Sequence, residues 1–463
     1  MSGYSNVTFD ELEIGATASA ERTVGQSEIE ALLLVSGDVV PFHVVEGITI
    51  EPGDLSVEAV AAEAIISGML ERRLPGPGTR IVSQQLEFSG VIRVGDLVRA
   101  AVTVREKTAE NRRVLFDCTV DAAGETVLRG TVVVEAPYRK ASFPELSRPE
   151  FMIRRNDVFA RLLRQCEPLA AVSCAVAHPC DPDSLMGALE AARLNLIVPV
   201  LVGPAARIRA LATGLGQDIS NYRLVNTEHS HASAEAAVAL ARSGEVETLM
   251  KGSLHTDEIM TAVVSSQGGL RTERRVSHVF VMDVPAYDRI LFVTDAAINI
   301  EPTLKEKADI AQNAIDLARS LGIGTPKVAI LSAVEMVNPD INSTIDAAAL
   351  CKMADRGQIR GAVLDGPLAF DNAISEIAAR TKSIQSPVAG RADILLVPNI
   401  EAGNMLAKQL QYFAGADSAG IVLGARVPVI LTSRADNVRM RIGSAAVAKL
   451  VVHARRAAAP PLK

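Results

Sequence analysis

Apolar and polar residues alternate with period two through residues 80–136. Val98, Ala100, Val102 and Val104 alternate with Arg99, Ala101, Thr103 and Arg105. Val114, Phe116, Cys118 and Val120 lie opposite Arg113, Asp117 and Asp121, and Leu128, Val132 and Val134 lie opposite Arg129 and Thr131. This pattern predicts half-buried antiparallel strands, with Asp121-Ala122-Ala123-Gly124 as a hairpin turn. Before the strands, residues 56–74 read SVEAVAAEAIISGMLERRL. Glu58 near the start, Arg72 and Arg73 in the last turn, and Pro75 beyond it predict one long helix. The helix is mostly apolar and is expected to be buried. Residues 1–136 are therefore expected to form an α+β domain, an antiparallel sheet around a central helix. Residues 137–150, PYRKASFPELSRPE, carry three prolines and no apolar period, and are expected to form a linker.

From about residue 151 to 463 the pattern changes. Short apolar runs at 172–177, 198–202, 247–250, 278–282, 290–293, 327–331, 362–364, 394–397 and 427–432 alternate with Ala-rich helical stretches such as 305–321. This alternation predicts an α/β domain on a mainly parallel sheet, long enough for two lobes with a cleft. Ligands of such sheets bind at the carboxyl ends of the strands. Polar clusters fall there: Lys251-Gly252-Ser253, Thr294-Asp295, Asp365-Gly366-Pro367, Glu401-Ala402-Gly403-Asn404 and Thr432-Ser433-Arg434. Cations and small residues at strand ends suit an anion. No GxxxxGK[ST] and no GxGxxG after an early strand occurs, so a P-loop or a nicotinamide site is unsupported. An anion or acyl-phosphate site fits better. Read singly, Asp365-Gly366-Pro367 is also a turn, Thr294-Asp295 a cap, and His255 either a helix cap or a site residue.

Composition narrows the function classes. The chain has 463 residues, which suggests two or three domains, a net charge of −7 and no long basic stretch, so nucleic acid is not an expected partner. The apolar runs are too short to span a bilayer, and the first residues lack a secretory pattern. Five cysteines without CxxC spacing argue for a reducing cytoplasm rather than disulfides or zinc. His229-Ser230-His231 lacks a clear third ligand and reads as a helix start, so no metal is expected.

Several runs in the second half resemble the phosphate acetyl/butyryltransferase family: MKGSLHTDEIM (250–260), FVTDAAINIEPTL (292–304), LSAVEMVNP (331–339), CKMADRGQIRGAVLDGPLAFDNAIS (351–375), ADILLVPNIEAGN (392–404) and VPVILTSRAD (427–436). The resemblance covers roughly residues 155–455 and is nearest to butyryl-type members. It implies acyl-CoA plus phosphate in exchange for acyl phosphate plus CoA, with coenzyme A and phosphate as substrates and no tightly bound cofactor. Arg434 would hold the phosphate bidentately, and Ser433 would donate to the carbonyl oxygen as charge develops. The thiol needs a base. In acetyltransferase members this is an aspartate seven residues after the serine, where this chain has Met440; the nearest carboxylate is Asp436. Lys251, Ser253, His255, Thr294, Asp295, Asp365, Glu401 and Asn404 would line the substrate site.

Residues 8–137 resemble the MaoC-like, or R-specific enoyl-CoA hydratase, branch of the hotdog fold. The stretch SGDVVPFHVV matches its signature at Asp38, Pro41 and His43, with Val40 and Val45 in place of an Asn and an Asp. The resemblance implies that Asp38 and His43 share a water for hydration of a conjugated thioester, with Ser67 and Gly68 of IISGML near its carbonyl. The competing reading is a turn at Gly37-Asp38 and a core histidine. Three functions follow: a bifunctional enzyme, a transferase whose hotdog domain only binds or assembles, and a non-catalytic sensor of CoA esters. Both families commonly form dimers, so a homo-oligomer is expected.

Overall fold

The alternating residues of the first half do pair as antiparallel strands. In the computed structural model, which describes residues 3–36, 56–57, 59–144, 158–432 and 436–458, the chain divides into two units, Met1–Arg155 and Asn156–Lys463. The first contains β1 (Gly3–Ser5), β2 (Thr17–Thr23), β3 (Ser56–Val57), β4 (Arg80–Phe88), β5 (Ile92–Arg93), β6 (Leu97–Thr108), β7 (Arg113–Ala122), β8 (Glu125–Glu135) and β9 (Ser142–Pro144). Five of these form an antiparallel sheet in the order β2-β6-β7-β8-β4. Val98, Ala100, Val102, Val104, Val114, Phe116, Cys118, Val120, Leu128, Val132 and Val134 are all buried, as period two requires. The β7–β8 hairpin turns at Ala123 and Gly124, with φ of 51° and 90°, the paired positive values of a two-residue turn.

The helix Ala59–Arg72 packs against all five strands through Ala62, Ile66, Met69 and Leu70. It is shorter than expected, because Ser56 and Val57 form β3 opposite β5 instead of its first turn. It is also one-sided: Ala64 and Glu71 remain exposed. The expected linker is corrected too. Ser142–Pro144 pairs with Gly3–Ser5, and buried Asn6 donates to the carbonyls of Pro77 and Arg139 at 3.0 and 2.9 Å while accepting from the Ala141 amide at 2.9 Å. Residues 137–144 are thus tied into the first unit.

The second unit contains β10 (Val172–Ala177), β11 (Ile197–Gly203), β12 (Arg223–Asn226), β13 (Thr248–Lys251), β14 (Ser277–Asp283), β15 (Leu291–Thr294), β16 (Lys327–Leu331), β17 (Val363–Leu368), β18 (Ile394–Leu396), β19 (Asp417–Leu423) and β20 (Val429–Ile430). They form one eleven-stranded sheet, β12-β11-β10-β13-β20-β19-β14-β15-β18-β16-β17. Two blocks, β12 to β20 and β15 to β17, are parallel within themselves. They join through antiparallel pairings of β19 and β14. Strands Arg223–Asn226 and Asp417–Leu423 were not expected. The first is short, with only Leu224 and Val225 apolar between two polar ends, and the second, DSAGIVL, begins with polar and small residues that mask its apolar end. Helices cover both faces, so β13 and β15 are buried at every position, including the polar Thr248, Lys251 and Thr294. Among the described residues no helix is long and apolar enough to cross a membrane.

Candidate functional site

The two parallel blocks meet where β20, β19 and β14 lie side by side. A cleft of about 680 Å³ opens there, between the ends of several strands and the helices that follow them. Its wall includes Thr256, Phe280, Ala297, Glu401, Asn404, Lys408 and Thr432. Four of the expected strand-end clusters contribute to it or adjoin it.

Thr294 ends β15 and is wholly buried, its hydroxyl donating to the His278 carbonyl at 2.8 Å. Asp295 follows and turns inward. One carboxylate oxygen accepts from the amides of Ala297 and Ile298 at 2.9 and 3.0 Å; the other accepts from the amide and side chain of Asn299 at 3.2 and 2.5 Å. Burial pushes this carboxyl up, and the hydrogen bonds from Ala297, Asn299, Ile298 and the His278 backbone oppose that. Asp295 therefore builds the loop that carries Ala297 to the cleft. Helix Ile400–Tyr412 comes close because of Gly403, where a Cβ would sit 2.6 Å from the Asp295 carbonyl oxygen. The helix is capped by Asn399, which accepts from the Ala402 amide at 3.0 Å, and it presents Glu401 and Asn404. Asn404 donates to the Ala296 carbonyl at 3.2 Å.

On the other block, Lys251 ends β13 and is only 3% exposed. Its ammonium donates to the Thr432 carbonyl at 3.3 Å, so it supports the cleft wall from inside. Ser253 donates to the His178 carbonyl at 2.9 Å and accepts from the Cys180 amide at 3.3 Å, joining two strand-end loops. His255 is exposed and caps helix Thr256–Val264: its amide donates to Glu258 at 2.6 Å. The cap reading holds for His255, and its neighbour Thr256 lines the cleft. His229 likewise caps helix Ser230–Ser243, its ring accepting from the Ala232 amide at 3.2 Å.

Asp365 stands apart. It lies on β17 at the far edge of the sheet, where it accepts from the Gly366 amide at 2.9 Å. Asp436 is buried and precedes helix Val438–Ala458. Ser67 and Gly68 lie half-buried on helix Ala59–Arg72, and among the described residues a Cβ added at Gly68 would meet nothing within 4 Å. Asp38, His43, Ser433 and Arg434 lie outside the described residues.

Two residues at the cleft escaped sequence reasoning. His278, in β14, is 0% exposed and forms part of the cleft wall, its ring edge-on to Phe280 with centroids 4.4 Å apart. Among the described residues neither ring nitrogen has a hydrogen bond of good geometry. Burial pushes the imidazole down to about 4, partly offset by the Leu431 backbone. Nε2 lies over Gly420, 3.0 Å from where a Cβ would begin. A histidine inside an apolar run, SHVFVMD, was the available signal. The second is Arg441, a guanidinium among the small residues of helix Val438–Ala458, donating to the Thr432 hydroxyl at 2.8 Å.

Residues 231–449 match the family model described as "Phosphate acetyl/butaryl transferase". The chain is 60% identical over 300 residues to phosphate acetyltransferase of Rhizobium meliloti, covering 65% of this chain and 95% of that one. It is 43% identical over 293 residues to phosphate butyryltransferase of Clostridium beijerinckii, covering 63% and 97%. A branched-chain phosphotransacylase from Enterococcus faecalis V583 superposes with a TM-score of 0.53 at 31% identity, over 61% of this chain and 99% of that one. All three similarities cover about two thirds of this chain.

Proposed function

The chain belongs to the phosphate acetyl/butyryltransferase family, and on that premise we propose that its second unit moves short acyl groups reversibly between coenzyme A and phosphate. The observation that carries the reading is the 60% identity over 95% of a phosphate acetyltransferase. The cleft between the two parallel blocks fits it. Phe280, Ile400, Met405 and Leu431 offer an apolar wall to an acyl group, and Glu401, Asn404 and Lys408 form a polar rim.

In the proposed reaction an oxygen of hydrogen phosphate attacks the thioester carbon. The C–O bond forms, the C–S bond breaks, and the proton given up by the phosphate ends on the departing thiolate. Arg434 holds the phosphate, Ser433 donates to the carbonyl oxygen, and Asp436 relays the proton between phosphate and thiol. Acyl phosphate formed from butyryl-CoA or acetyl-CoA by the full chain, and lost in Arg434→Ala, supports the reading; full activity in that variant would misplace the phosphate site.

For the first unit we propose a hotdog fold that hydrates short enoyl-CoA. Asp38 and His43 activate one water and protonate the α-carbon, and the Gly68 amide receives the thioester oxygen. The helix lying across five antiparallel strands supports this assignment. The assay is loss of the conjugated absorbance of crotonyl-CoA. Hydration that vanishes in Asp38→Asn makes the protein bifunctional. No hydration by the intact chain leaves the first unit a binding or assembly domain, and absence of both activities would favour a sensor.

A further inference from the structure

Helix Val438–Ala458 begins with a cation in an unfavourable place. Arg441 lies in the first turn, where the helix dipole repels a positive charge, and it is only 3% exposed. Burial draws its pKa down, against the attraction of Asp181, Asp436 and Asp183. The fold makes room for it: a Cβ at Gly187, on helix Pro182–Arg193, would sit 2.6 Å from the Arg441 Cδ. The guanidinium then reaches the hydroxyl of Thr432 at 2.8 Å. Lys251, equally buried, donates to the carbonyl of the same residue at 3.3 Å. Thr432 in turn forms part of the cleft wall. Two cations withdrawn from water thus converge on one threonine. Such groups are retained only where hydrogen bonds and counter-charges offset their desolvation.

We propose that Arg441 is a positioning residue for acyl transfer: from behind the cleft wall it fixes Thr432, the described residue next to Ser433-Arg434, and so sets how phosphate meets the acyl carbon. This rests on the transferase reading above. Its chemistry differs from that of Arg434. Arg441 stays buried and does not touch substrate; it acts through the residue it holds. A rigid planar guanidinium suits that task better than a flexible ammonium, because it delivers its N–H to the Thr432 hydroxyl in a fixed direction.

The test uses the full chain with Arg441→Met, Arg441→Lys, Thr432→Val and the Met/Val double variant. Acyl phosphate formation from butyryl-CoA is measured with each substrate varied in turn, alongside thermal melts. The expected result for Arg441→Met is a fall of about tenfold or more in kcat/KM for phosphate, with KM for butyryl-CoA held within about twofold. Arg441→Lys recovers part of the loss, and the double variant is no worse than Arg441→Met, because both changes remove one interaction. If Arg441→Met does not fold, Thr432→Val carries the same prediction with a smaller change of volume. Variants that melt with the natural chain and keep its phosphate kinetics would overturn the proposal. So would an equal loss toward both substrates that tracks the melting temperature, since that is a structural role alone. An inactive natural chain is a different result: it would overturn the transferase reading itself, and any role of Arg441 in transfer with it.

Discussion

His278 gives a prediction whose size follows from its surroundings. Its side chain is wholly buried, and burial pushes its pKa from 6.5 to about 4. Between those values an unfolded chain binds a proton that the folded chain refuses. The stability that His278 contributes is therefore complete above about pH 6.5 and is lost as the pH falls toward about 4. The full gap corresponds to about 3 kcal/mol, and about 2 kcal/mol of it is gone by pH 5. Other groups titrate in the same range, among them His178, which burial also lowers. Their effects cancel when His278→Gln is compared with the natural chain at each pH. The assay is urea denaturation read by pulse proteolysis, which scores each unit by its own protected fragment. Between pH 7 and pH 5 the second unit of the natural chain should lose about 2 kcal/mol relative to the variant. A difference that stays flat across this range would mean that the imidazole is solvated or paired, and the reading of β14 as its burial site would be wrong.

Other consequences are simpler. Gly420→Ala places a Cβ 2.2 Å from the Leu431 carbonyl and 3.0 Å from His278 Nε2, so β19 and β20 must part; soluble yield and melting temperature of the second unit should collapse, by about 3 kcal/mol or more. Asp295→Asn puts an amide against the Asn299 side chain, a donor facing a donor; it should lower stability by about 2 kcal/mol and reduce transfer, measured by melt and by acyl phosphate yield. Asn404→Ala frees the helix rim from the Ala296 carbonyl and should raise KM for acyl-CoA several-fold while leaving the melt within a few degrees.

Much of the fold was legible because burial imposes periods. The inward set Val98, Ala100, Val102 and Val104 followed from alternation alone, and Lys327–Leu331 followed from the apolar run Val328–Leu331. What sequence could not give were features set by distant partners. Ser56–Val57 left the helix because β5 offered it a strand partner. Ser142–Pro144 left the linker because Gly3–Ser5 and Asn6 captured it. Glu401 and Asn404 were legible as strand-end polar residues and do meet in the cleft, whereas Asp365 has the same local grammar and lies at the sheet edge. Position along a strand does not say where the strand falls in the sheet order. Lys251 was expected in the substrate site; its buried ammonium donates to the carbonyl of Thr432, which lines the cleft. His278 and Arg441 were hidden for a related reason: an isolated polar residue in an apolar stretch shows its role only when its neighbours from other strands and helices are in place.

The central claim is that the second unit exchanges coenzyme A for phosphate on a short acyl group. Its most direct test is the full chain incubated with butyryl-CoA or acetyl-CoA, with and without inorganic phosphate, scoring free thiol and acyl phosphate together. Equal amounts of both products, formed only when phosphate is present, are the predicted result. Thiol released without phosphate would make the cleft a thioesterase site, and no release with either acyl-CoA would contradict the account.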